Sequence, residues 1–341
     1  MSDSKRHVLY LGEDRGTSLH RANALRRLGH AVTLVWPERL LPAIPMLDKW
    51  SWHSGGLFLE EIVRRRVLAT DVRADVVVVN NGELVGPGLI ADLRKKFGPV
   101  INYNVDDPFG ERDGRRWRLY RKALPQYDLV VVVRKENVDE ALAAGARRVL
   151  HRVRTADEVE HAPGPPTGSG EMRWASEVSF IGTWMPERGP FLAELVARGI
   201  PLSIHGDRWD RAREWAVLRP HWCGAGLSNL DYRDAISYSK ICIGMLSKGN
   251  RDLHTHRSVE IPYIGSLLCA ERTSEHQALY AEGREAVFWD SASECADICA
   301  SLLADESKRA RIAANGQRRA LENGHLNEKL MASMIEAASD L

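Results

Sequence analysis

Nearly continuous apolar runs at residues 7–11, 31–35, 75–80, 100–104 and 129–133 punctuate the first half of the chain. Each has the length of a strand. Between and after them, apolar residues recur at helical spacing and predict helices near 19–28, 57–68, 84–97, 114–124 and 136–144. Runs that are apolar throughout, rather than at alternate positions, belong to strands covered on both faces, so a parallel sheet with helices on each side is predicted. A further strand is predicted at 147–153. Strand, glycine loop, helix and strand over residues 7–35 make a Rossmann-type unit, whose loop and helix start stand at the carboxyl edge of the sheet. Gly12 and Gly16 do not complete G-x-G-x-x-G, so the dinucleotide fingerprint is absent.

Residues 37–56, rich in Pro, Leu and Trp, are expected to cover the sheet or to line an acceptor pocket, core packing being the commoner use. Between 156 and 176 apolar residues thin out around the breaker-rich run from His161 to Gly170, which predicts an interdomain linker. The pattern then restarts, with strands at 178–181, 202–205, 241–245, 266–269 and 286–289 and helices at 190–198, 232–238, 275–282, 292–303, 306–322 and 328–338. The predicted organisation is α/β, with two Rossmann-like domains facing a cleft that would hold the ligand. An acceptor-side domain spans 1–155, the linker 156–176 and a nucleotide-sugar domain 177–325; a last helix at 326–341 is expected to pack back toward the first domain.

One stretch, 247–265, concentrates cations, hydroxyls and two carboxylates between an apolar strand and an apolar helix. A strand that feeds a helix through a Gly-Asn turn leaves backbone N–H groups above the strand end, where anions bind. Asp252 and Glu260 lie eight positions apart, close to Lys248, Arg251 and Arg257. Such a set suits a ligand with hydroxyls to donate and phosphates to pair. The blander reading makes Asp252 and Thr255 caps, Glu260 a partner of Arg257, and His254 polar packing. The adjacent carboxylates Asp106 and Asp107, at another strand end, suit a general base or hydroxyl binder as well as a turn before Pro108.

With 341 residues the chain has room for two cores, and 47 basic against 46 acidic residues leave a net charge of +1, no global field for a long polyanion. No run approaches a membrane span, and the N-terminus lacks a secretory signal, so a cytoplasmic protein is expected. Cys295 and Cys299 share a helix face, but no second pair at metal-site spacing accompanies them, and the five cysteines read as small core residues with no metal.

Four segments together carry a family resemblance: Tyr103 to Pro108, Ser179 to Trp184 with Arg188, Ser247 to Pro262, and Glu271 to His276. The chain resembles glycosyltransferases of the GT-B fold, in the retaining group-one superfamily, and within it the spore-maturation CgeB-like proteins. The resemblance implies transfer of a sugar from a nucleotide-diphosphate sugar, with UDP as the expected carrier. It implies an acceptor hydroxyl, retention of anomeric configuration, and no cofactor beyond the donor itself. Asp252 and Glu260 match the spacing of the superfamily's glutamate pair, which places Glu260 on the ribose; Asp252 is one methylene shorter than the usual residue. Arg188 matches a lysine that neutralises the departing diphosphate, Thr183-Trp184 falls near the missing arginine, and Lys248 substitutes for it. Gly16 resembles the glycine at which backbone approaches the phosphates. Gly206, His254, Thr255 and Arg257 complete the expected donor contacts, and Asp106 and Asp107 the catalytic set. No Asp-x-Asp, the usual metal-holding motif of the other main sugar-transferase fold, occurs in the sequence.

Two other readings compete. A nucleotide-sugar or carbohydrate-binding protein without turnover is suggested by Asp252 and Thr183-Trp184. A transferase acting on modified DNA bases is suggested by Arg112, Arg115, Arg116, Arg118, Arg121 and Lys122, a charge run that is more often a solvated helix face.

Overall fold

The computed structural model describes residues 5–42, 47–163 and 173–339; part of the Trp- and Pro-rich segment and the middle of the predicted linker lie outside these. The chain divides into two compact units, the first comprising Met1–Val153, Gly249–Arg251 and Leu326–Leu341, the second Arg154–Lys248 and Asp252–His325.

In the first unit the elements run β1 (His7–Leu11), α1 (Gly16–Arg27), β2 (Ala31–Val35), α2 (Leu47–Ser54), α3 (Glu60–Leu68), β3 (Val76–Asn80), α4 (Pro87–Phe97), β4 (Val100–Asn104), α5 (Arg118–Ala123), β5 (Leu129–Val132), α6 (Glu136–Ala143) and β6 (Val149–His151). The six strands pair in parallel in the order β2-β1-β3-β4-β5-β6. Successive side chains leave a strand on opposite faces. Leu9, Leu11, Val77, Val79, Val130 and Val132 therefore pack on one side with Val63, Val67, Leu89 and Leu93 of α3 and α4. Val8, Tyr10, Val76, Val78, Ile101 and Val131 pack on the other. Both faces are covered, which is why the strands read as unbroken apolar runs.

The second unit contains β7 (Ser176–Ile181), α7 (Arg188–Ala197), β8 (Leu202–His205), α8 (Trp215–Leu218), β9 (Trp222–Gly224), α9 (Asn229–Ser237), β10 (Ser239–Gly244), α10 (His256–Ile264), β11 (Leu267–Glu271), α11 (Ser274–Leu279), β12 (Val287–Trp289), α12 (Ala292–Ala304) and α13 (Glu306–Asn323). Its parallel sheet has the order β12-β11-β10-β7-β8-β9. The last helix, α14 (Asn327–Ser339), belongs to the first unit, where it packs on α1 and β4. Among the described residues no helix is long and apolar enough to cross a membrane.

Several predicted elements need correction. Helix α1 begins at Gly16 rather than near 19, because φ of +54° at this glycine turns the loop directly into the helix. The helix predicted from 114 is confined to Arg118–Ala123. Strand β9 was not predicted, since a three-residue, largely exposed Trp-Cys-Gly edge carries no periodic signal.

Candidate active site

Strand order reverses between β1 and β3 in the first sheet and between β7 and β10 in the second. At such a switch point neighbouring loops leave in opposite directions and open a crevice at the carboxyl ends of the strands. In the second unit the crevice is bounded by the loop after β7, with Thr183 and Trp184, and the loop after β10, with Lys248. Arg188, at the first turn of α7 and only 8% exposed, ties the two loops together: Nη1 donates to Thr183 O at 2.7 Å and Nη2 to Met245 O at 3.4 Å. Its guanidinium also lies 5.5 Å from the centre of the Phe180 ring.

Gly206 serves the neighbouring strand end. Its φ is +153°, and a Cβ there would lie 2.0 Å from Gly182 O, so no larger residue lets β7 and β8 finish side by side. The Trp184 backbone N–H donates to Asp207 O at 2.9 Å, and Trp209 Nε1 donates to Gly182 O at 3.0 Å. The Trp184 indole N–H is buried without a hydrogen-bond partner among the described residues.

Beyond β10, Asp252 is 8% exposed and accepts a bond from Arg154 Nη2 at 3.0 Å. Arg154 also donates through Nη1 to His254 O at 2.6 Å, and its backbone N–H donates to His254 Nε2 at 3.1 Å. A nitrogen that accepts carries no proton, so His254 holds its proton on Nδ1, which faces Glu275 Oε2 at 2.5 Å. Burial, with the nearby Arg154 charge adding to it, pushes the His254 pKa down, although Glu275 opposes this. The predicted donor contact is thus a neutral imidazole set inside a buried polar network. Removing one partner of the buried Arg154–Asp252 ion pair in this network costs about 3–5 kcal/mol.

Thr255 is the N-cap of α10, and its backbone N–H donates to Ser258 Oγ at 2.9 Å. Ser258 Oγ also lies 2.7 Å from His276 Nε2, whose other nitrogen donates to Glu271 O at 2.6 Å. His276 has its pKa pushed down to about 4, chiefly by burial. Glu260, 1% exposed, accepts from the Tyr232 hydroxyl and from Arg257 Nη1 at 3.3 Å, and its Oε1 is 3.7 Å from His161 Nε2. Arg257 is stacked 4.6 Å from the Tyr232 ring centre. Lys248, by contrast, has a side chain 61% exposed and pairs with Glu271.

The remaining predicted residues belong to the first unit. The position of a Cβ on Gly16 has no atom within 4 Å, and α1 has neither a side-chain cap nor an acidic residue in its first turn. Its N–H groups are therefore open to an anion. Asp106 accepts from Asn81 Nδ2 at 3.3 Å and keeps 30% of its side chain exposed. Asp107 is fully buried and occupied on both oxygens: Arg251 Nε and Nη2 each donate at 2.7 Å, and Asn137 Nδ2 and the N–H groups of Phe109 and Gly110 also donate. Burial works against its ionisation, but the bonds from Arg251 and Asn137 outweigh it and hold the carboxyl below its usual range. Asp107 fastens this loop, and Asp106 is the carboxylate of the pair that remains reachable. Sequence reading missed Glu83, which with Glu13, Glu38 and Asn80 lines a small cavity at the β1–β3 switch. Burial, with Asp106 and Glu13 adding to it, raises the Glu83 pKa against the pull of Arg116. No short motif contains these residues; only the strand order assembles them.

Residues 188–336 match a family described as glycosyl transferase-like. No curated protein matched by sequence. Solved structures matched over the whole chain. Sucrose-phosphate synthase from Thermosynechococcus elongatus has a TM-score of 0.72 at 12% identity, with 98% of this chain and 99% of that one covered. Anabaena HepE in complex with UDP and glucose has 0.67 at 14% identity, covering 98% and 100%. A trehalose-6-phosphate protein from E. coli bound with UDP-2-fluoro glucose has 0.65 at 11%, covering 98% and 99%. A glycosyl transferase-like domain thus matches residues 188–336, and the chain as a whole has the GT-B fold of these solved structures.

Proposed function

We propose that the protein is a cytoplasmic, metal-independent glycosyltransferase of the CgeB-like group. It moves a sugar from a nucleotide-diphosphate sugar, with UDP as the carrier, to a hydroxyl of its acceptor with retention at the anomeric carbon. The observation that carries this reading is the switch point of the second sheet. There Arg188 ties the two flanking loops together, and the same segment holds an exposed lysine and a buried glutamate one helical turn past the cap of α10. The matched family domain begins at Arg188 itself.

Breaking the bond from sugar carbon to phosphate builds negative charge on the leaving diphosphate, and preorganised cations lower that barrier. Lys248 supplies the mobile charge, exchanging Glu271 for phosphate, a swap its exposure permits. Arg188 supplies a fixed one and shapes both loops. Glu260, held by Tyr232 and Arg257, is assigned to the ribose hydroxyls, which its buried Oε1 meets once His161 gives way. Within the first unit, Gly16 and the open amides of α1 suit a phosphate group.

The test is UDP binding and donor turnover in EDTA. Glu260→Ala is expected to weaken UDP binding at least tenfold, about 1.4 kcal/mol, and Lys248→Ala to lower kcat with little change in UDP affinity. Unchanged UDP affinity in Glu260→Ala removes the ribose assignment. One observation favours a second reading, a nucleotide-sugar binder without turnover: Asp252, aligned with a sugar-contacting residue, is already engaged by Arg154. UDP binding without any donor hydrolysis or transfer decides for that reading.

A further inference from the structure

We propose that Cys269, Cys295 and Cys299 form a buried three-sulfur site for a soft monovalent metal ion of the Cu(I) or Ag(I) class. Cys269 lies in the middle of β11, while Cys295 and Cys299 stand one turn apart on the face of α12 that packs into the same core. The three sulfurs lie within 4.8 Å of one another, and the Cys269 and Cys295 Sγ atoms are 3.9 Å apart. Sulfurs bound to one ion at about 2.3 Å stand about 4 Å from each other. Closing the set on an ion therefore takes a movement of less than about one ångström.

Coordination number selects the ion. All three cysteines are 0% exposed and belong to the buried core cluster that also contains Ile243, Leu267, Val287, Leu302 and Trp289. Among the described residues no histidine, aspartate or glutamate joins the cluster. Zinc takes four ligands in structural sites, and a dry apolar pocket supplies neither a fourth side chain nor a water. Soft ions that prefer sulfur and accept three ligands fit what is present. Binding breaks the S–H bond of each cysteine that becomes a thiolate ligand, forms the metal–sulfur bonds and releases one proton for each, with no change of oxidation state. The ion would pin β11 to α12 a few residues before Glu271, the partner of Lys248. The proposal does not depend on the glycosyltransferase reading.

Because the site is sealed, the metal should enter as the chain folds. The exposed Cys223 is first removed by Cys223→Ser to exclude surface binding. This variant is unfolded and refolded anaerobically with Cu(I) or with zinc, washed with a competing chelator, and analysed for metal per chain and for its melting transition. The expected result is one copper per chain, a raised transition, and loss of both effects when Cys299→Ser is added. Copper retained equally after Cys299→Ser, no retained copper in the parent, or stoichiometric zinc in its place overturns the proposal. If the double variant fails to fold, X-ray absorption of the copper-loaded parent decides: three sulfur neighbours support the site, and any other number overturns it.

Discussion

His276 shows how one buried side chain acquires a pH-dependent role. Its Nδ1–H donates to Glu271 O, so Nε2 must stay unprotonated to accept from Ser258, which in turn accepts the N-cap amide of α10. The folded pKa of about 4 lies below the ordinary histidine value of 6.5. Between these values the unfolded chain binds the extra proton and the folded one does not. The contribution is therefore complete above pH 6.5 and is lost as pH falls toward 4, amounting to about 3 kcal/mol in all. Denaturant unfolding at pH 7 and pH 4.5 should show this loss, with His276→Gln having a shallower dependence; equal slopes in the two proteins would refute it. His254, also pushed down by burial, adds in the same direction. At this scale the sequence offered His254 either as a donor contact or as polar packing, and could not give the partners of its ring nitrogens. Which nitrogen accepts a bond from which neighbour depends on Arg154 and Glu275, far away in the chain.

Among elements, the strand ends of the second sheet are the most demanding. Parallel strands deliver their loops to one edge, and β7 and β8 come so close there that Gly206 lies against the Gly182 carbonyl. Gly206→Ala forces both a strained φ and a clash with backbone, so a loss of about 2 kcal/mol or more is expected. Thermal unfolding measures that loss, and UDP titration of the surviving protein should show weaker binding, because the displaced loop carries Thr183 and Trp184. A variant as stable as the parent would mean that the approach of the two loops is dispensable. The strand predicted at 202–205 placed Gly206 just past its end, but the close contact was not legible, since Gly182 is remote in sequence. The glutamate spacing was legible for the opposite reason: Asp252 and Glu260 are fixed relative to one another by a single turn and helix.

For the whole molecule, ligand binding to the folded state should raise its stability, by about 2.7 kcal/mol at a ligand concentration one hundred times Kd. A melting series with UDP, GDP, ADP, TDP and CDP is expected to give its largest shift with UDP, unchanged by EDTA. A shift that vanishes with EDTA would end the metal-independent reading. The sequence by itself determined the two α/β halves, because strands covered on both faces must be apolar at every position and helices must repeat at 3.6. It also determined the polar stretch at 247–260, because local spacing survives folding. Only the tertiary structure decided the strand orders, and with them the two switch points. It also buried Asp107 under Arg251, gave Glu83 its carboxylate neighbours, and brought Cys269 to Cys295 and Cys299. Each of these is a meeting of residues distant along the chain, set by sheet order and packing, and no local pattern encodes it.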